Sequence, residues 1–277
     1  MSSITVGQEN ASPIDLYYED LGAGSPVVLL SGYPFVGTSW EKQVPALIAA
    51  GHRVITIDRR GFGRSSRPSM GYDFDTLAAD LDDVLNHLRL SDVSLAGFSM
   101  GTGEIIRYIG KYGVARLRKV ALLGTMGPFW LKTADNPDGA DASMFEGLQT
   151  AMRADRPATM LNIVKNARNY DALGGTLVSD QAVTEAWNVA VSASPIAAVE
   201  CIGAWKADFR ADVSKITVPT LIVHAGDTDR ILPPNISSRR LVKLIPGARL
   251  VEIEGGPHDI LWTHPEQVNE ALVSFLR

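Results

Sequence analysis

The chain has 277 residues, of which 45% are hydrophobic and 21% are charged, and it contains one cysteine, Cys201. This composition is typical of a globular protein and excludes collagen-like, disulfide-stapled and intrinsically disordered chains. The 26 Lys and Arg residues against 31 Asp and Glu residues give a formal net charge of −5. Because no basic tract accompanies this charge, we do not expect a nucleic-acid binder.

Targeting and membrane signals are not found in the sequence. Residues 1–6 form neither a basic nor an apolar region, and the longest apolar runs, such as 27–30 and 120–123, are far below the ~20 residues that cross a bilayer. We therefore expect no membrane span and a cytoplasmic location. The expected partner is a small-molecule substrate, and a homo-oligomer is compatible with the sequence.

Short runs of β-branched and leucine residues alternate with longer amphipathic segments, which is typical of a mostly parallel sheet covered by helices. These runs predict strands at 14–18, 27–31, 54–58, 93–96, 119–123, 220–225 and 249–253. The spacing of leucine and valine predicts helices near 77–88 and 268–276. Between 127 and 211 the alternation stops and prolines interrupt helical stretches. We therefore predict a core of 1–126 and 212–277, with an inserted helical cap at 127–211.

The most specific motif is Gly97-Phe98-Ser99-Met100-Gly101, which follows a predicted strand and precedes a predicted helix. A serine at the tip of such a turn is held in a strained backbone conformation, and glycines on either side let the strand and the helix approach each other. The serine also lies at a helix amino terminus, which favours negative charge in a tetrahedral intermediate. Ser99 is therefore the candidate nucleophile.

A serine nucleophile needs a base, and the chain has five histidines. Four of them have structural interpretations, as residues before or at the end of a strand, on a helix, or ahead of a helix: His52, His87, His224 and His264. His258 follows the last predicted strand, at the sheet edge where ligands bind in open α/β folds, and is the candidate general base.

The third member should be a carboxylate that orients the imidazole, and it should follow the preceding strand. Asp227 and Asp229 both lie there. We prefer Asp229, because the following Ile231 and Leu232 can anchor its loop, and we interpret Asp227 as a turn former. The order Ser99, Asp229, His258 is the order of an α/β-hydrolase triad.

An oxyanion hole needs two converging N–H donors. One is expected from Met100, directly after the nucleophile, and the other from Tyr33 in the loop Ser31-Gly32-Tyr33-Pro34.

These motifs, together with Asp58-Arg59-Arg60-Gly61-Phe62-Gly63-Arg64-Ser65-Ser66, resemble the cofactor-free haloperoxidases, or perhydrolases, of the α/β-hydrolase superfamily, a group that includes bacterial γ-lactamases. The resemblance extends over essentially the whole chain. It implies an α/β-hydrolase fold with a mostly parallel eight-stranded sheet flanked by helices and an inserted helical cap.

The resemblance further implies a serine hydrolase for small carboxylic esters that also uses hydrogen peroxide as acyl acceptor, with no haem, metal or other cofactor. Pro34 matches a proline that the family carries beside its oxyanion loop. Residues expected to line the pocket are Tyr33, Met100, Met126, Trp205 and Leu232. The aromatic residues of the cap and its surroundings predict an apolar acyl pocket: Phe129, Trp130, Phe145, Trp187, Trp205 and Trp262.

Two positions depart from the family pattern, which usually has His where this chain has Ser31 and Gly where it has Asp259. We expect Asp259 to point away from the imidazole. Three alternatives stay open: a γ-lactamase that opens a small cyclic amide, a carbon–carbon bond hydrolase that uses the same triad, and a non-catalytic small-molecule receptor on a hydrolase fold.

Overall fold

The computed structural model describes residues 2–277, and its centre is one eight-stranded sheet. The strands are β1 (Ser3–Glu9), β2 (Ser12–Gly22), β3 (Ser25–Leu30), β4 (His52–Ile57), β5 (Val93–Phe98), β6 (Leu117–Leu123), β7 (Thr220–His224) and β8 (Arg249–Glu252). Their spatial order is β1-β2-β4-β3-β5-β6-β7-β8. Only the β1–β2 and β2–β4 pairs are antiparallel. The predicted fold class is therefore confirmed.

The sequence did not predict strand β1. Among its seven residues only Ile4 is buried, because β1 lies at the edge of the sheet and pairs with β2 alone. A polar edge strand has no apolar run by which to recognise it. Strand β2 is also longer than the predicted 14–18, since the pairing with β1 and β4 extends it at both ends.

Helices cover both faces of the sheet. They are α1 (Val44–Ala49), α2 (Phe74–His87), α3 (Met100–Tyr112), α4 (Ala142–Ala154), α5 (Arg156–Ala167), α6 (Tyr170–Leu173), α7 (Asp180–Val191), α8 (Pro195–Ala204), α9 (Arg210–Val213), α10 (Ser238–Leu244), α11 (Ile260–Thr263) and α12 (Pro265–Leu276). Alternate residues of each central strand face opposite sides. In β3, Val27 and Leu29 pack in the cluster that contains α1 and α12, whereas Val28 and Leu30 pack in the cluster that contains α2, α3 and α10.

Helices α4 to α8 lie between β6 and β7, in the segment predicted as a cap, and α9 runs across its predicted end at 211. Their buried side chains join the apolar cluster of α2 and α3. Within residues 2–277 no single helix has the length and apolar composition of a membrane span. Helices α7 and α8 reach that length and composition only when they are taken together, and the chain bends by 93° between them.

Candidate active site

The turn between β5 and α3 places Ser99 in a backbone conformation that side chains rarely adopt, with φ 50° and ψ −117°. The two flanking glycines make this turn sterically feasible. A Cβ on Gly97 would lie 2.6 Å from the carbonyl oxygen of Gly101, and a Cβ on Gly101 would lie 2.4 Å from the carbonyl oxygen of Leu30. The Ser99 N–H donates to the carbonyl of Leu123 at 2.9 Å. The elbow is thus packed backbone against backbone.

The structure brings Ser99, His258 and Asp229 together in one chain of hydrogen bonds. His258 Nε2 lies 2.9 Å from Ser99 Oγ, and His258 Nδ1 lies 2.8 Å from Asp229 Oδ2. His258 and Asp229 are both buried. Asp229 Oδ1 accepts from the N–H groups of Ile231 and Leu232, both at 2.8 Å. Both carboxylate oxygens of Asp229 therefore have hydrogen-bond partners.

Burial of Asp229 acts to raise the pKa of its carboxyl group, but the attraction of His258, the hydrogen bond from it, His224 and the N–H of Leu232 outweigh burial and hold the pKa below its usual value. The group is therefore a carboxylate at neutral pH, as an imidazole-orienting acid must be. Asp227 lies on the surface instead and pairs with Arg239 at 2.7 Å.

A second histidine, His224, contacts the same carboxylate. It ends β7, is fully buried, and its Nε2 lies 3.5 Å from Asp229 Oδ2. Burial lowers the pKa of His224 to about 4, so its ring is neutral at pH 7. The sequence assigned His224 only a structural role, because nothing in a buried strand end indicates what its last side chain touches.

Tyr33 and Met100 line the same cavity as Ser99, and their N–H groups have no hydrogen-bond acceptor among residues 2–277. A Cβ on Gly32 would lie 2.8 Å from the ring of Phe98, so only glycine lets this loop approach the elbow so closely. Ser31 is turned into the protein and donates to the carbonyl of Val36 at 2.7 Å. Arg59, in a buried pair with Glu104, donates to the Ser31 carbonyl at 2.6 Å.

Ser99 and His258 open on a small, partly enclosed cavity. Its remaining lining is apolar or aromatic and consists of Tyr33, Met100, Met126, Trp130, Ile163, Ala167, Trp205, Ile231 and Leu232. The Tyr33 and Trp205 rings meet edge to face with centres 5.0 Å apart. Burial raises the pKa of Tyr33, whose hydroxyl donates to the carbonyl of Ala198 at 2.7 Å.

Phe129 does not line this cavity, so the prediction for this residue is wrong. Its ring lies under the guanidinium of Arg210, 4.7 Å away, and its backbone pairs with Asp208. The neighbouring Trp130, also predicted among the aromatic residues of the pocket, does line the cavity. The sequence also missed Ile163, Ala167 and Ile231, which carry no pattern that separates lining residues from core.

Asp259 points away from the imidazole, and its carboxylate pairs with Arg168 at 2.8 Å. No group of three or more His, Cys, Asp or Glu side chains in the described part of the chain is arranged to hold a metal ion.

Comparisons with known proteins agree with this fold. Residues 25–265 match the family model of the alpha/beta hydrolase fold. A Synechocystis sp. protein provisionally named non-heme chloroperoxidase is 53% identical over 277 residues, covering 100% of both chains. A bifunctional esterase/perhydrolase from Acinetobacter calcoaceticus is 30% identical over 95% of this chain and 96% of its own. The crystal structure of a bromoperoxidase from Bacillus anthracis superimposes with a TM-score of 0.95 at 43% identity over 99% of each chain. The chain therefore belongs to the α/β-hydrolase family, among relatives named as non-heme haloperoxidases and esterases.

Proposed function

We propose that this chain is a serine hydrolase that cleaves small carboxylic esters through an acyl-enzyme, and that it also passes the acyl group to hydrogen peroxide. The observation that carries the proposal is the hydrogen-bonded chain of Ser99, His258 and Asp229, which ends in an apolar cavity. The names of the relatives from Acinetobacter calcoaceticus and Bacillus anthracis support the perhydrolase activity.

In the acylation step, Ser99 Oγ attacks the ester carbonyl while His258 Nε2 takes the hydroxyl proton. The carbonyl oxygen gains the negative charge, and the N–H groups of Tyr33 and Met100 are the donors proposed to bind it, with the amino terminus of α3 adding to the field. When the intermediate collapses, the carbon–oxygen bond to the alcohol breaks and His258 gives its proton to the leaving alkoxide. Asp229 holds the imidazole in the required tautomer throughout.

Deacylation repeats these steps with a new acceptor. His258 takes a proton from water or from hydrogen peroxide, and the resulting nucleophile attacks the acyl carbon of the Ser99 ester. Collapse returns the proton to Ser99 Oγ and releases a carboxylic acid from water or a peracid from peroxide. The peroxide route needs no change of oxidation state in the protein, since the O–O bond of peroxide passes intact into the peracid.

The lining of the cavity indicates the substrate class. Apart from Ser99, His258 and the Tyr33 hydroxyl, it offers only backbone and apolar or aromatic side chains, and none of its residues is acidic or a lysine or arginine. Since an unpaired charge is costly to bury, we propose a small uncharged acyl group. Residues 127–211 are proposed as the cap that supplies Trp130, Ile163, Ala167 and Trp205 to this cavity.

The test is hydrolysis of p-nitrophenyl acetate by the wild type and by Ser99→Ala. Ser238→Ala is the control for removal of a serine hydroxyl, because Ser238 is buried and its hydroxyl has no hydrogen-bond partner in the described structure. We expect turnover in the wild type and in Ser238→Ala, and none in Ser99→Ala. Activity that persists in Ser99→Ala would contradict the proposal. Release of a peracid when hydrogen peroxide is present tests the proposed transfer of the acyl group to peroxide.

The same assays separate the alternatives. Faster opening of a cyclic amide than of any ester would favour the γ-lactamase, and cleavage of a vinylogous diketone without ester turnover would favour the carbon–carbon bond hydrolase. Tight binding of a small apolar ligand without turnover of any of these substrates would favour the receptor.

A further inference from the structure

The segment 167–171, which joins α5 to α6, contacts both loops that carry the acid and the base. We call residues 167–171 the strap. The N–H of Asp259, next to His258, donates to the carbonyl of Ala167 at 2.7 Å. Asn169 Nδ2 donates to the carbonyl of Thr228, next to Asp229, at 3.0 Å. The strap thus binds the chain immediately beside each of the two residues.

Side chains reinforce these backbone contacts. Arg168 Nε lies 2.8 Å from Asp259 Oδ2, with the two side chains 5% and 8% exposed, and Arg168 Nη1 donates to the carbonyl of Ala182 at 2.8 Å. Arg230 and Asp171 form an exposed pair at 2.7 Å. The two loops are also tied to each other, because Thr228 Oγ1 donates to the carbonyl of Gly256 at 2.6 Å.

Arg168 and Asp259 do not line the cavity into which Ser99 opens; both line a separate cavity on the side of Trp262. They therefore cannot touch a substrate bound at Ser99. We propose that Arg168 and Asp259 are positioning residues, through which the strap fixes the loops of Asp229 and His258 and so sets the rate of each turnover. This inference rests on the proposed function, since it concerns the alignment of the same triad.

The test compares two double variants. Arg168→Met/Asp259→Leu removes a buried pair that contacts the His258 loop. Arg60→Met/Asp80→Leu is the matched control, because Arg60 and Asp80 are 6% and 7% exposed, pair at 2.5 Å and contact neither loop. Exchanging both members of a buried ion pair for apolar side chains avoids leaving one charge unpaired, so both variants are designed to keep their fold.

The readout is kcat per active site, with the sites counted by stoichiometric phosphonylation with a fluorophosphonate. We expect kcat per counted site for p-nitrophenyl acetate to fall at least tenfold in Arg168→Met/Asp259→Leu, with KM within threefold of the wild type. The control should stay within twofold in kcat per site. Arg168→Lys keeps the positive charge beside Asp259 and should keep more of the activity than the double variant.

A structural role alone would lower the number of sites that react with the fluorophosphonate and leave kcat per site unchanged, and this result overturns the inference. Should the double variant fail to fold, Asn169→Ala decides, with Asn162→Ala as its control, because Asn162 is exposed on α5 and lies outside the strap. We expect Asn169→Ala to lower kcat per site at least twofold and Asn162→Ala to leave it unchanged; equal values overturn the inference. A wild type that neither reacts with the fluorophosphonate nor hydrolyses the ester would refute the proposed function itself.

Discussion

Ser99 and His258 meet at one point of the cavity from loops that are built in different ways. The elbow of Ser99 is fixed by its own backbone, because Gly97 and Gly101 bring β5 and α3 into contact with each other and with Leu30. The loop of His258 is held by hydrogen bonds to distant segments, including the one that the N–H of Asp259 donates to the carbonyl of Ala167. The comparison shows a nucleophile positioned by local sterics and a base positioned by long-range polar contacts.

The largest loss of kcat is expected from a change to Asp229, which acts on the imidazole through polar contacts alone. In Asp229→Asn, the amide group cannot hold the imidazole in the same tautomer, so we expect kcat to fall on the order of 10⁴-fold. Asp227→Asn is the control, because Asp227 is exposed and pairs only with Arg239 and should change kcat less than twofold. Measurement of kcat for p-nitrophenyl acetate checks both, and comparable losses in the two variants would refute the assignment of Asp229.

Gly101→Ala tests the close packing that fixes the elbow of Ser99. The added Cβ would lie 2.4 Å from the carbonyl oxygen of Leu30, which is backbone and cannot rotate aside. We expect the free energy of unfolding to fall by about 3 kcal/mol, measured by urea denaturation. Gly147→Ala in α4, where no atom lies within 4 Å of the added Cβ, should raise it by about 0.5–1 kcal/mol. Unchanged stability in Gly101→Ala would show that the elbow is not tightly packed.

An effect that is absent at neutral pH and appears only as the pH falls is expected from His224. Its folded-state pKa of about 4 lies below the ordinary value of 6.5, so the unfolded chain binds a proton before the native protein does. This group therefore removes stability as the pH falls from about 6.5 to about 4, by about 3 kcal/mol in total.

The His224→Gln variant should lose this part of the pH dependence of the unfolding free energy. The exposed His87→Gln, on α2, should retain it. If His224→Gln and the wild type lose the same stability between pH 6.5 and pH 4, the neutral buried state of His224 is wrong.

The local packing of the elbow could be predicted from the sequence, whereas the long-range polar contacts could not. The elbow is a local motif of five residues, so its strand, turn and helix were recognisable, and the loops after β7 and β8 follow from the order of a parallel sheet. The ion pair of Arg168 and Asp259 joins residues 91 positions apart, and no local pattern indicates such a contact. That Trp130 lines the cavity and Phe129 does not has a related cause, because the chain there follows no helix or strand period that would fix which side chain faces inward.

The most direct measurement is mass spectrometry of the protein quenched with acid during turnover of p-nitrophenyl acetate. We expect an added acetyl group on the peptide that contains Ser99, in the wild type and not in Ser99→Ala, with the adduct lost faster when hydrogen peroxide is present. Turnover with the acetyl group on a different side chain, or loss of the adduct at a rate that peroxide does not change, would contradict the proposed acyl-enzyme or the proposed acyl acceptor, respectively.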